Sequence, residues 1–199
     1  MGASIEYFYA PISGYAYLGE PGLREIAARR GAAIRYRPMD IARVFAATDT
    51  TPPARQSPAR LSYRLEDMAR RAKALGMPLT PKPRFWPADG GRAARTICAA
   101  ELRGEDPGPV SFAILRAIWA EERDIADPDH LAEALRAAGL DAALVSEAET
   151  AEAHAAAASH TEAAIAAHVF GSPTYVLGGA RFWGQDRQAD LDAALAARP

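Results

Sequence analysis

The hydrophobic positions of this chain change their period twice. Ile5-Glu6-Tyr7-Phe8-Tyr9 is short and dense in β-formers, which predicts a strand. The turn Ala10-Pro11-Ile12-Ser13-Gly14 leads into Tyr15 to Arg30, where Leu18, Leu23, Ile26 and Ala27 predict a core-facing helix that stops at Gly31. Pro21-Gly22 predicts an interruption or kink in it. Ala33 to Pro38 alternates and predicts a second strand. Strand, helix, strand implies two parallel strands joined by a right-handed crossover.

From Ile41 the texture changes. Thr48 to Pro58, rich in Thr and Pro, predicts a loop, and Ala59 to Leu75 an amphipathic helix stopped by Gly76. After the proline-rich connection Leu79 to Pro87, helices are predicted over 91–102, 110–123, 128–138 and 146–168. Pro107, Pro109, Pro128 and Gly139 punctuate them, with Asp127 as an N-cap before Pro128. Thr174 to Leu177, the Gly178-Gly179 turn and Arg181 to Trp183 predict a hairpin, followed by a last helix from Asp186 to Ala197. Pro173 precedes the first of these strands, where a missing N–H costs no ladder bond. The order βαβ, helical block, ββα implies an α/β domain with a helical insertion. The division expected is a discontinuous domain of residues 1–40 and 160–199 and an inserted helical subdomain of residues 41–159.

Composition narrows the function classes. Of 199 residues, 49% are hydrophobic, enough for a core, and the formal net charge of -2 provides no basic field for nucleic acid. No apolar run approaches the ~20 residues of a membrane span. The N-terminus lacks the basic and apolar regions of a signal peptide, so a cytoplasmic protein is expected. Cys98 is the only cysteine. An internal disulfide and a C-x-x-C redox motif are therefore excluded, and a small buried helical thiol is expected. His130, His154, His160 and His168 show no metal-ligand spacing, so no metal is expected.

Ser13 stands where the first strand meets the first helix. Unpaired amides and the helix dipole favour an anion there, and a hydroxyl adds a charge-assisted hydrogen bond. A ligand thiol held at that point would ionise more readily; an ordinary N-cap is the alternative reading. Phe85 and Trp86 offer walls for an aromatic pocket, whereas Trp119 and Trp183 are expected in the core. Asp67 and Arg71, spaced i, i+4, are expected to pair.

The run from Phe8 to Gly19, the segment Pro58 to Ala72, and the closing runs Phe170 to Val176 and Phe182 to Arg187 together resemble the 2-hydroxychromene-2-carboxylate isomerases. These belong with the kappa-class glutathione transferases and the DsbA-like thioredoxin superfamily. That family usually reads Ser-Pro-Tyr-Ser-Tyr-Leu at the first site; here Gly14 and Ala16 replace the proline and the second serine. Arg60 stands where the family commonly has lysine. The resemblance implies a thioredoxin-like fold with an inserted all-helical subdomain, glutathione as cofactor and a homodimer. It implies that Ser13 activates the glutathione thiol. It further implies that Ser172 and Pro173 receive the cysteinyl part, Gln185 and Asp186 the γ-glutamyl end, and Arg60 a carboxylate. Tyr15, Phe85 and Trp86 would line the substrate pocket. The activity implied is glutathione-dependent cis–trans isomerisation of 2-hydroxychromene-2-carboxylate to trans-o-hydroxybenzylidenepyruvate, a step in aromatic degradation. A kappa-type transferase or peroxidase, and a non-catalytic glutathione-binding protein of the same fold, are the alternatives.

Overall fold

The structure is a computed structural model that describes residues 2–198. Strand β1 (Ser4–Tyr9) lies inside the sheet and carries buried apolar side chains on both faces. Ile5, Tyr7 and Tyr9 enter the larger core, while Phe8 enters a second, smaller one with Met39, Val44, Val169 and Val176. Alternation along one strand thus supplies both sides of the sheet. Helix α1 (Gly14–Arg30) follows, capped by Ser13 and closed at Gly31. It continues through Pro21 without the expected interruption.

Strand β2 (Ala33–Pro38) pairs parallel to β1, with Ser4 opposite Ala33 and Tyr9 opposite Pro38. The chain then leaves the sheet through helices α2 (Ile41–Ala47), α3 (Pro58–Leu75), α4 (Gly91–Leu102), α5 (Pro107–Trp119), α6 (Pro128–Ala137), α7 (Ala143–Glu147) and α8 (Ala151–Ala166). It returns as β3 (Thr174–Leu177), antiparallel to β1, and β4 (Ala180–Trp183), antiparallel to β3. The strand order is β2-β1-β3-β4, and helix α9 (Gln188–Ala196) closes the described chain. This is the expected α/β order of βαβ, helices and ββα. The larger apolar cluster joins Ile5 and Tyr7 of the sheet to Ile114, Leu131 and Leu144 of the intervening helices.

Several boundaries differ from expectation for local reasons. Helix α2 was not predicted; it is seven residues long, buries only Val44, and is started by Asp40, whose carboxylate accepts from the Ala42 amide at 2.9 Å. Helix α5 begins at Pro107 and not at residue 110, because prolines in a first turn have no bond to lose; Asp106 caps it. The single helix expected over 146–168 is two. Thr150 caps α8 by accepting from the Ala153 amide at 3.3 Å, which breaks the run. Before α9 the chain makes a separate 3-10 turn, Gln185–Arg187, so Asp186 lies in that turn and does not cap the helix. Cys98 is buried in α4 with its sulfur 3.6 Å from His160 Nδ1, and burial pushes the thiol up to about 12, which keeps it un-ionised.

Glu20 is a buried carboxyl in α1. Its Oε2 accepts from Ser111 Oγ at 3.0 Å, while Oε1 has no partner among the described residues. Burial pushes its pKa up to about 8, against the opposing pull of Ser111 and Arg24. Between about pH 4.5 and 8 the folded protein therefore keeps a proton that the unfolded chain has released, and stability falls as pH rises through that window. The slope is at most about 1.4 kcal/mol per pH unit for one proton. Denaturant unfolding of wild type and Glu20→Gln across this range should show a shallower decline in the variant. Parallel profiles would contradict the assignment of this proton to Glu20.

Candidate active site

The β1–α1 turn is fixed by its own hydrogen bonds and by Ser172. The Ser13 amide donates to Ala10 O at 2.9 Å, and the Ala10 amide donates to Ser172 Oγ at 2.9 Å. Ser13 Oγ accepts from the Ala16 amide at 3.2 Å and donates to Ser172 O over a long 3.4 Å. Both hydroxyl functions of Ser13 are thus engaged, the donor only weakly. The amides of Gly14 and Tyr15, at the first turn of a 17-residue helix, have no acceptor among the described residues. An anion beside Ser13 would meet a hydroxyl proton that is easily redirected and the positive end of α1. Gly14, where the resembling family has proline, has a local reason here. A Cβ would collide with the Met68 methyl and lie 3.0 Å from Trp119 Cζ2.

Ser13 is 9% exposed, and that remnant faces a cavity of about 560 Å³. Its walls include Ile12, Ile41, Phe45, Pro52, Trp86 and Pro87. Trp86 is held there by its indole N–H, which donates to Ile12 O at 3.1 Å. A second, more polar cleft of about 930 Å³ runs alongside, lined by Tyr15, Arg60, Asp67, Arg71, Gln185 and Asp186 among others. Both volumes fall within the ~300–1,000 Å³ of small-molecule sites. Ser172 and Arg64 border both cavities. The Ser172–Pro173 peptide bond is cis, and the Ser172 amide has no acceptor among the described residues.

The polar cleft is braced by a chain of contacts from α1 to the C-terminal turn. Tyr15 donates to Asp67 Oδ2 at 3.0 Å, and Arg71 Nε donates to the same oxygen at 2.9 Å. Burial raises the Asp67 carboxyl, but the hydrogen bonds from Arg71 and Tyr15 outweigh it and hold it below its ordinary range. Arg71 reaches onward to Asp186 at 3.8 Å. In the amide orientation that satisfies both groups, Gln185 Oε1 accepts from Arg71 Nη1 at 2.8 Å. Helix α3 thereby positions Gln185 and Asp186. The expected Asp67–Arg71 pair is present and serves this larger bridge.

Of the sequence-selected residues, Ser13, Ser172 and Trp86 share the first cavity. Tyr15, Arg60, Ser172, Gln185 and Asp186 share the second. Pro173 is buried behind Ser172, and its carbonyl accepts from the Gly184 amide at 2.9 Å. Phe85 lines neither cavity: its ring packs near His130, 6.3 Å between centroids, under Arg84. Trp183 is 53% exposed and not in the core, standing edge-on to Phe170 at 4.8 Å beside the polar cleft; Trp119 is buried as expected.

Arg64 was not selected from the sequence. Its guanidinium lies over the Tyr15 ring at 5.0 Å and the Trp86 ring at 5.7 Å, with no carboxylate partner among the described residues. Burial lowers its pKa, opposed by Tyr15. Arg60, one turn earlier, is exposed at the cleft rim and likewise has no carboxylate partner among the described residues.

Residues 4–196 match the DSBA-like thioredoxin domain family. The chain is 28% identical to a 2-hydroxychromene-2-carboxylate isomerase of Sphingobium xenophagum, over 98% of this chain and 99% of that protein. It is 27% identical to glutathione S-transferase kappa 1 of Caenorhabditis elegans, over 68% of this chain and 62% of that protein. The solved structure of a 2-hydroxychromene-2-carboxylate isomerase matches 97% of this chain and 94% of its own with a TM-score of 0.81 at 27% identity. The sheet order, the inserted helices and the matched span thus converge: this chain belongs to the DSBA-like thioredoxin domain family.

Proposed function

We propose that this protein is a glutathione-dependent cis–trans isomerase of a planar, unsaturated aromatic keto acid, of the 2-hydroxychromene-2-carboxylate type. The observation that carries the reading is Ser13 Oγ, weakly committed as a donor, facing an apolar cavity at the start of α1. The full-length similarity to isomerases of that name supports it.

The residues of the polar cleft fit a peptide-like thiol. Ser172 offers an amide that has no acceptor among the described residues to its backbone, in the manner of an added strand. Asp186 offers a carboxylate to the ammonium of the γ-glutamyl end, and Gln185 an amide beside it. Arg60, exposed at the cleft rim, offers its cation to a terminal carboxylate. Because Ser172 borders both cavities, a thiol anchored there would project towards Ser13 and the apolar pocket. When bound, glutathione would supply a thiolate for reversible addition to the alkene carbon: the hemiketal C–O bond opens with its hydroxyl proton passing to the phenol oxygen, the former alkene turns as a single bond, and expulsion of the thiolate restores the double bond, with no net change of atoms or electrons.

The protein's part is preparation. Ser13 and the α1 terminus stabilise negative charge on sulfur. They lower the energy of the reactive anion without taking or giving a proton in the net reaction. Ile12, Phe45, Trp86 and Pro87 provide a flat apolar bed and exclude water from the reacting carbons. With no C-x-x-C and Cys98 buried and un-ionised, this chain has no thiol of its own for the role.

Ser13→Ala should lower turnover about 10- to 100-fold, corresponding to the ~1.5–3 kcal/mol of a hydrogen bond to a charged group, while glutathione affinity measured by calorimetry changes little. Unchanged turnover would sink the role given to Ser13. Asp186→Asn should weaken glutathione roughly two- to fivefold, as for an exposed ion pair, and leave a des-amino analogue unaffected. Equal losses for both ligands would place the ammonium elsewhere. The total of free glutathione should stay constant through many turnovers; stoichiometric consumption would favour the transferase reading.

A further inference from the structure

We propose that Arg64 is the anchor for the carboxylate of the acceptor substrate, and so the residue by which this pocket selects acids over neutral enones. The inference rests on the isomerase reading for its ligand, but its structural basis is separate. Arg64 borders the apolar cavity that also holds Ser13, Trp86 and Pro87. Its guanidinium lies over two aromatic rings, Tyr15 at 5.0 Å and Trp86 at 5.7 Å. Aromatic faces attract the cation but accept none of its N–H bonds in the plane. None of those N–H groups has an acceptor among the described residues. Burial already lowers the pKa of this group, so the charge is held at a cost that no neighbouring anion offsets.

Such a site is complete only with an incoming anion, and a planar fork selects a carboxylate in bidentate geometry. Arg64 and Arg55 both border the two cavities, so position alone does not assign Arg64 to glutathione or to the acceptor. Two observations favour the acceptor. The polar cleft has its own cation in Arg60, which has no carboxylate partner among the described residues, and Arg64 shares the wall of the apolar bed with Trp86. A flat acid with its carboxylate on Arg64 would lay its conjugated body along Trp86, with its alkene turned towards Ser13. The neighbouring α-keto oxygen would sit beside the same fork, which stabilises charge gathered on that oxygen. Arg55, exposed at the cavity mouth on a 3-10 turn, is the natural control.

Equilibrium binding without glutathione tests this directly. Coumarin-3-carboxylate and its methyl ester, followed by tryptophan quenching, should differ by tenfold or more with wild type. The difference should vanish in Arg64→Met, persist in part in Arg64→Lys, and remain full in Arg55→Met. In turnover assays Arg64→Met should raise KM for an acidic enone about 10- to 100-fold and leave KM for glutathione unchanged. Equal binding of acid and ester by wild type would overturn the proposal. So would an Arg64→Met variant that loses glutathione affinity and keeps its preference for the acid. If the acid preference behaves as stated while no glutathione-dependent isomerisation occurs, the anchor stands and the isomerase reading alone fails.

Discussion

The site depends on the clasp between the β1–α1 turn and Ser172. Ala10 and Ser13 are adjacent to one end of the central strand, and Ser172 arrives 159 residues after Ser13. Two hydrogen bonds join them, one from the Ala10 amide to the Ser172 hydroxyl and one from the Ser13 hydroxyl to the Ser172 carbonyl. The first satisfies a buried amide that would otherwise cost about 1–3 kcal/mol. The second is long and therefore replaceable. The clasp places the start of α1, whose Gly14 and Tyr15 amides have no acceptor among the described residues, against the Ser172 backbone. Sheet register makes this possible: Phe8 of β1 lies opposite Thr174 of β3, two residues beyond Ser172.

Around that clasp, polarity is divided. One cavity is walled by Ile12, Phe45, Trp86 and Pro87, the other by Arg60, Asp67, Arg71, Gln185 and Asp186. Thiolate chemistry on an enone benefits from this division. The sulfur needs donors and a positive field, the conjugated carbons need a dry surface, and the carrier peptide needs charges. Helix α3 borders both cavities, contributing Arg64 to the boundary and Asp67 and Arg71 to the brace that holds Gln185 and Asp186.

Much of this was legible in the residues. The βαβ start, the closing hairpin, the Asp127 cap and the place of Ser13 all follow from local rules of period, capping and turn chemistry. What escaped depended on distance in space. Helix α2 is too short to show a period, and the break at Thr150 was hidden by an alanine-rich run with uniform helix propensity. Phe85 and Trp86 are neighbours in an irregular loop, and only the bond from the Trp86 indole to Ile12 fixes which ring enters the cavity. Trp183 looked like core by residue type, but it ends an edge strand and packs only against Phe170 among aromatic rings of the described residues. Arg60 and Arg64 are one turn apart on the same helix, and no sequence rule says which meets Tyr15 and Trp86.

The most direct test of the central claim is the ionisation of glutathione bound to the protein, followed by the ultraviolet absorbance of the thiolate as pH is varied. If Ser13 and the start of α1 stabilise the sulfur anion, the bound thiol should titrate about two pH units below the ~8.5 of a free thiol, and most of that shift should be lost in Ser13→Ala. A bound thiol that titrates like free glutathione, or one shifted equally with and without the hydroxyl, would contradict the account.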